Sequence, residues 1–331
     1  MATSTTTAES SRRLQRLGKY SIIGKLGSGG MSRVYRAVAD GSTTEVALKV
    51  TPIDNDIDVE VCDYQREVMM GRRIRHPHVI GAIDHGCRDG HIYLVMPIVD
   101  GATLSNTTRL RDPSRKPSSS RSRAYRDAWA VSMLEARWER IAAIGRQLSG
   151  ALAACHQAGV IHRDIKPANV MMDRRGDVYL TDFGLAWMRR GPEGHQLETR
   201  DGTARYLPPE VFRQRRDERS DIYSLGLTLH ELATGRKPWG DVDHETIREE
   251  RPSLRVPHVL SIRNDVPRSL AECIDKAAAD LPAERYQTAE QLEQVFQRIQ
   301  EELTPAVTAS CTETWYQNTE PTALTEEVWF V

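Results

Sequence analysis

No stretch of this 331-residue chain approaches the ~18 consecutive apolar residues that a membrane span requires. Cysteine is sparse: Cys62, Cys87, Cys155, Cys273 and Cys311 make an odd count with no paired spacing. That pattern argues against a zinc site or a disulfide framework and for a reducing compartment. Net charge is −1, so no global basic field argues for nucleic acid as a partner. Met1 to Ser11 is rich in Thr, Ser and Ala and has no apolar core, so it does not read as a secretory signal. We expect a disordered leader over 1–18 and a cytoplasmic protein. No internal repeat is visible. What the chain does have is 39% hydrophobic residues, enough for one large or two small cores.

From Tyr20 to about Leu94 the pattern is short β-prone runs: Ser21–Leu26, Val34–Ala39, Glu45–Val50, Val79–Asp84 and His91–Met96. A helical stretch is expected over about 59–74. From Arg137 onward helices dominate. Ile141, Ile144, Leu148, Leu152 and Cys155 share one helical face, as do Ile222, Leu225, Leu229 and Leu232, and again Leu292, Val295, Phe296 and Ile299. Strands followed by helices predict an α+β fold in two lobes. Two segments break the pattern. Residues 105–126 hold seven Lys/Arg, one acid and six serines, and read as a solvated basic insert. Residues 302–331 hold seven threonines, five Glu and no basic residue, and read as an acidic extension ending in Val328-Trp329-Phe330-Val331.

Four constellations carry chemistry. Gly27-Ser28-Gly29-Gly30 lies between two strand-like runs. Glycines let backbone amides approach a phosphate closely, although the same run also suits an ordinary turn. A strand on both sides favours a phosphate cover of the kinase style over a dinucleotide fold. Lys49, within Val46-Ala47-Leu48-Lys49-Val50, either snorkels at an edge or reaches a phosphate, and Glu67 on the following helix is a candidate partner. The run His162-Arg163-Asp164-Ile165-Lys166-Pro167-Ala168-Asn169 is polar between apolar residues. A carboxylate can take or orient a hydroxyl proton, a lysine two residues on can neutralise a moving phosphoryl group, and an Asn five residues on can bind Mg²⁺. Finally, Asp182-Phe183-Gly184 ends a β-prone run, where an acid is well placed to hold a metal or simply to form a turn.

Together these motifs, in this order, resemble a serine/threonine protein kinase over about Tyr20 to Gln300. The resemblance implies a bilobal protein-kinase-like fold over 19–301. Its small strand-rich N-lobe would cover about 19–97 and its larger helical C-lobe about 98–301. It implies ATP as phosphate donor, Mg²⁺ as cofactor, and protein substrates that include the kinase itself, in trans. Lys49 would hold the α/β-phosphates and Glu67 would orient it. Asp164 would be the catalytic base, Lys166 would stabilise transferred charge, and Asn169 and Asp182 would bind Mg²⁺. Lysine at 166 implies serine/threonine rather than tyrosine acceptors. Gly27, Ser28, Gly29 and Gly30 would cover the phosphates. Val34, Ala47 and Met171 would sandwich adenine, with Met96 as gatekeeper and the hinge backbone of Pro97 and Val99 meeting the ring. Proline is harmless at 97, where a carbonyl is needed rather than an N–H. Glu210, in Pro208-Pro209-Glu210, would pair with Arg285.

Gly29-Gly30-Met31, His76-Pro77 and Arg285-Tyr286 are similar to phrases of bacterial members of this superfamily. Ser32 stands where a third glycine is usual and Pro208 where alanine is usual. Gly71 lies inside the expected helix that bears Glu67, so that helix is a candidate regulatory element. Three rivals compete: a pseudokinase scaffold, a small-molecule phosphotransferase and a nonenzymatic adaptor. Retention of Lys49, Asp164, Asn169 and Asp182 argues against the first. Lys166-Pro167 and the 202–210 segment argue against the second, and 162–184 has no explanation under the third. The acidic extension suits a second phosphosite cluster or contact with the basic insert.

Thr199 and Thr203 lie in the segment after Asp182, and Arg163 precedes Asp164 in a position suited to pairing with a phosphate. Autophosphorylation is therefore expected at Thr199. Thr199→Ala should lower activity and remove phosphate from this segment on mapping by mass spectrometry. Full activity with no phosphate in the segment would exclude the idea.

Overall fold

The computed structural model describes residues 14–28, 32–53, 68–69, 73–106, 138–183, 186–188, 204–213, 216–240, 242–250 and 254–304. The expected roles of Gly29, Gly30, Glu67, Thr199 and Thr203 fall outside these residues. So do most of the 59–74 helix and of the basic insert, and the extension beyond Thr304.

The first half builds one antiparallel sheet. Its strands are β1 (Arg16–Leu17), β2 (Tyr20–Ser28), β3 (Arg33–Ala39), β4 (Glu45–Pro52), β5 (Asp84–Arg88) and β6 (His91–Pro97), in spatial order β1-β2-β3-β4-β6-β5. Strand alternation sorts β4 into two faces. Val46, Leu48 and Val50 turn into a buried cluster with Leu17, Tyr20, Ala37, Tyr93 and Val95. Ala47 and Lys49 therefore face the other way. Register carries that second face across the sheet, because Val34 pairs with Lys49 and Ala47 with Met96.

One expected strand is displaced. The expected run at 79–84 forms no continuous strand; β5 begins only at Asp84. The cause is a contact that sequence spacing cannot show. Val79 bridges Leu180 of the second lobe, Ile80 N–H donates to the Leu180 carbonyl at 2.9 Å, and Leu180 N–H donates to the His78 carbonyl at 2.8 Å. The backbone of this segment is thus taken by a partner outside the first sheet.

The second half begins with β7 (Gly101–Thr103) and continues through α1 (Trp138–Gln157), β8 (Val160–Ile161), β9 (Val170–Asp173), β10 (Val178–Leu180) and β11 (Trp187–Met188). Helices α2 (Glu218–Thr234), α3 (His244–Glu250), α4 (Val259–Ile262), α5 (Arg268–Ala277) and α6 (Ala289–Leu303) follow. The apolar faces expected on α1, α2 and α6 meet in a single core, with Ile141, Ile144, Leu148, Leu152, Ile222, Leu225, Leu229, Leu292 and Phe296 all buried. Helix α2 is signalled at both ends. Asp217 accepts the Arg219 N–H as N-cap, and Gly235 closes the helix in the left-handed region at φ 70°. Gly226 lets α2 approach α5, since a Cβ there would stand 2.8 Å from the Ala278 nitrogen.

Arg285 ties the lower lobe together. Its fully buried side chain donates to both oxygens of Glu210, at 2.7 and 2.8 Å, and to the carbonyls of Ala279, Asp280 and Arg219. Every oxygen and N–H of the pair that matters is satisfied, so removal of one partner strands the other. Arg285→Met should cost about 3–5 kcal/mol in urea unfolding. A second substitution, Glu210→Leu, should restore part of the loss.

Candidate active site

The site lies where the Lys49 face of the first sheet meets the β8–β10 region of the second lobe. Asp164 sits between β8 and β9 and is 7% exposed. Its Oδ2 accepts from Lys166 Nζ and from Asn169 Nδ2, each at 2.7 Å. Asn169 Nδ2 also donates to the Asp164 carbonyl at 2.9 Å. The other carboxylate oxygen, Oδ1, is buried and has no hydrogen-bond partner. Two of the expected neighbours thus neutralise one oxygen and leave the second bare. Asn169, its amide nitrogen engaged, keeps Oδ1 as the group that can accept or coordinate.

The loop is held from below by a residue that motif reading did not single out. Asp221, in the first turns of α2, is 1% exposed. Its Oδ2 accepts the backbone N–H of His162 at 2.8 Å and sits 2.9 Å from His156 Nε2, while Oδ1 accepts the N–H of Arg163 at 2.8 Å. Burial opposes its ionisation, but His156 and these N–H groups outweigh that and hold the carboxyl below its usual range. Arg163 takes φ 68°, a conformation rare outside glycine, and the Asp221 bond pins it there. In the sequence Asp221 stands within Ser220-Asp221-Ile222-Tyr223-Ser224-Leu225-Gly226, which resembles the start of the central C-lobe helix, and an acid there reads equally well as a helix-dipole partner.

His162 completes the support. Its ring Nε2 lies 3.1 Å from the Thr181 carbonyl, and Asp164 N–H reaches its Nδ1 at 3.3 Å. Phe183, 1% exposed, packs on this ring with centroids 4.7 Å apart. Thr181 N–H and Oγ1 both donate to the Asn169 carbonyl. The chain therefore leaves β10 with Asp182 beside Asn169 and Asp164, in the left-handed region at φ 67°.

Asp182 Oδ1 lies 2.8 Å from Lys49 Nζ. This contact between the two lobes was not assigned in the sequence, where Glu67 was the expected partner of Lys49. Burial disfavours the Asp182 carboxylate, yet Lys49 more than compensates and holds it ionised below the usual carboxylate range. Of the expected nucleotide residues, Val34, Ala47 and Met96 share the Lys49 face, while Gly27, paired with Val34, and Ser28 end β2. Pro97 ends β6, Val99 follows it, and Met171 lies on β9.

The 204–206 segment is fastened to the helical lobe beyond. Arg205 is buried and donates to the carbonyls of Pro238, Gly240 (3.0 Å) and Val242 (2.6 Å). Ser224 Oγ donates to the Tyr206 carbonyl at 2.8 Å.

A family model described as the protein kinase domain matches residues 20–297. This chain belongs to the protein kinase domain family. Among its relatives in that family, the serine/threonine-protein kinase PrkC of Bacillus subtilis is 32% identical over 83% of this chain and 40% of its own length. The serine/threonine-protein kinase PknH of Mycobacterium bovis is 31% identical over 85% and 44%. The chain thus spans less than half the length of these two curated relatives. Among solved structures, the PknI kinase domain of Mycobacterium tuberculosis has a TM-score of 0.61 at 27% identity, covering 86% of this chain and 97% of that one. The likeness extends to the bilobal fold, a strand-rich N-lobe on a helical C-lobe.

Asp221 links stability to pH with a definite sign. Its folded value lies below the unfolded one of about 3.9, so its ionised form stabilises the kinase domain above that value. The contribution is lost as pH falls from there through the lower folded value. Asp221→Asn should lower kcat and cost about 1–3 kcal/mol at neutral pH, because an amide cannot accept on both sides. Its thermal midpoint should also fall less steeply than that of the wild type between pH 5 and pH 3.

Proposed function

We propose that this domain transfers the γ-phosphate of ATP to serine and threonine hydroxyls of proteins, itself included, with Asp164 as base. The observation that carries the reading is the division of labour on one carboxylate. Oδ2 is engaged by Lys166 and Asn169, and Oδ1 is buried and bare. A substrate hydroxyl is the kind of donor such an oxygen lacks. The hydroxyl oxygen attacks the γ-phosphorus, the bond from phosphorus to the β–γ bridging oxygen breaks, ADP leaves, and the hydroxyl proton passes to Asp164 Oδ1. Lys166, 2.7 Å from Asp164, is placed to offset charge on the transferring group.

The donor set suits Mg²⁺. Asp182 supplies an ionised carboxylate and Asn169 a free amide oxygen, both hard ligands. Mg²⁺ binds through one or two carboxylates together with phosphate oxygens and water, which matches this pair. When bound, the ion neutralises phosphate charge. Val34, Ala47 and Met171 enclose adenine, Met96 guards the rear of its pocket, and the backbone of Pro97 and Val99 meets its edge. Gly27, Ser28, Gly29 and Gly30 cover the phosphates and Lys49 holds them, with Glu67 as its orienting partner. Thr199 and Thr203 are the phosphoacceptor candidates and Arg163 the cation that reads them. Glu210 and Arg285 brace the substrate platform. Among the described residues no helix is long and apolar enough to cross a membrane. A cytoplasmic site of action, where ATP and protein hydroxyls meet, suits this chemistry.

Transfer of labelled γ-phosphate to a generic basic protein tests the reading. Wild type with Mg²⁺ should label both the substrate and itself on serine and threonine. Asp164→Asn should lose about 10²–10⁴-fold in rate, with nucleotide affinity retained. Labelling by Asp164→Asn at the wild-type rate would sink the assignment.

A further inference from the structure

A concavity lies against the hinge and shares Pro97 and Val99 with the proposed adenine edge. Its volume is about 470 Å³, and its floor is formed by Pro77, Val79, Ile80, Ile98, Val99 and Tyr179. None of Val34, Ala47, Lys49 or Asp182 lines it. The floor is apolar except for one phenol. The rim is charged, and most of that charge is already committed. Asp173 accepts the N–H groups of Arg175 and Asp177 and the hydroxyl of Tyr179. Asp100 pairs with Arg174 at 2.8 Å. Arg175 is exposed at the edge, and Arg140 lies just behind it, 3.4 Å from the carbonyls of Arg175 and Gly176. The rim thus carries two acids and two arginines, with Arg175 as the exposed cation at its outer edge.

The chain itself offers an occupant with carboxylates for that arginine and an apolar run for the floor. Residues 305–331 contain Glu313, Glu320, Glu326 and Glu327, no basic residue, and the run Val328-Trp329-Phe330-Val331. The fold brings the start of this segment to the groove. Helix α6 runs antiparallel to α1, since Gln157 meets Glu290 and Arg146 meets Gln300, both at 2.9 Å. Leu303 and Trp138 consequently pack on the same core near the first turn of α1. Arg140, in that turn, touches the β9–β10 turn that carries Arg174 and Arg175. A coil from Thr304 to Glu326 has a root-mean-square span of roughly 25 Å, and roughly 70 Å when extended. Reach is therefore not limiting.

We propose that the 305–331 segment folds back onto this groove in the same molecule, with Trp329 and Phe330 against the apolar floor and Glu326 and Glu327 facing Arg175 and Arg140. Large aromatic side chains are the usual anchors of such pockets, and carboxylates beside them set the register against guanidinium groups. Docking there bridges the 77–80 segment, the hinge and the β9–β10 turn, three pieces that meet at the junction of the lobes. The proposal concerns a contact and does not rest on the transfer activity.

Photocrosslinking in the full chain tests it without an activity readout. With Phe330→p-benzoylphenylalanine, irradiation should give an intramolecular product whose tryptic map joins residue 330 to 77–80, 97–100 or 173–180. Arg140→Glu with Arg175→Glu should reduce its yield at least tenfold, as should 1 M NaCl. Hydrogen exchange at 77–80 and 173–180 should be faster in Trp329→Ala/Phe330→Ala than in wild type. Crosslinks to the 105–126 insert, crosslinks only between two chains, or unchanged exchange in the alanine variant would each overturn the proposal.

Discussion

A single buried carboxylate sets the geometry on which the site depends. Asp221 stands in the first turns of α2, the most deeply enclosed helix of the C-lobe, and accepts the N–H groups of His162 and Arg163. A buried anion must be satisfied or it neutralises. Here two backbone donors and the His156 ring satisfy it. The consequence is mutual. The helix core cannot shift without stranding the charge, and the catalytic loop cannot shift without losing its donors. Rigid placement of Asp164, two residues further on, follows from the α2 core rather than from the loop.

The two lobes make unequal contributions. Asp164, Lys166, Asn169 and Asp182 are all set by C-lobe elements and by one another. Lys49 alone among the described charged residues of the site arrives from the N-lobe sheet. Its position comes from alternation on β4, with Leu48 and Val50 buried on one face and Ala47 and Lys49 turned to the other. The 2.8 Å contact between Lys49 and Asp182 therefore measures the closure of the lobes. A relative movement of the lobes shifts Lys49 while leaving Asp164 and its partners in place.

Much of this was legible in the sequence because it is local. Alternation marked the strands from Ser21 to Val50, and helical spacing marked the buried faces of α1, α2 and α6. The run from His162 to Asn169 brings Asp164, Lys166 and Asn169 together because all three lie on one short loop. What escaped was long-range. Val79 and Ile80 read as a strand, but Leu180 of the other lobe takes the Ile80 N–H and the His78 carbonyl on either side of Val79. The pairing of Lys49 with Asp182 spans 133 positions and has no periodic signature. Asp221 was visible only as an acid at a helix start, and nothing near it in sequence announces that its partners lie at 156, 162 and 163. Burial of a charge is a property of the fold, and single-sequence patterns do not register it.

The two left-handed residues of the site show why such long-range partners are required. Arg163 and Asp182 have side chains yet occupy φ 68° and φ 67°. Such backbone costs on the order of 1–3 kcal/mol each and persists only where surroundings over-determine it. At Arg163 the constraint is Asp221. At Asp182 it is bilateral: Thr181 is fastened to the Asn169 carbonyl on one side, and Phe183 is buried against His162 on the other. His162 itself hangs from Asp221 through its N–H. The strain at both positions is thus balanced by one connected set of contacts. Loosening that set at its root releases the turn that aims Asp182 together with the turn that aims Asp164, and the two should fail together rather than one at a time.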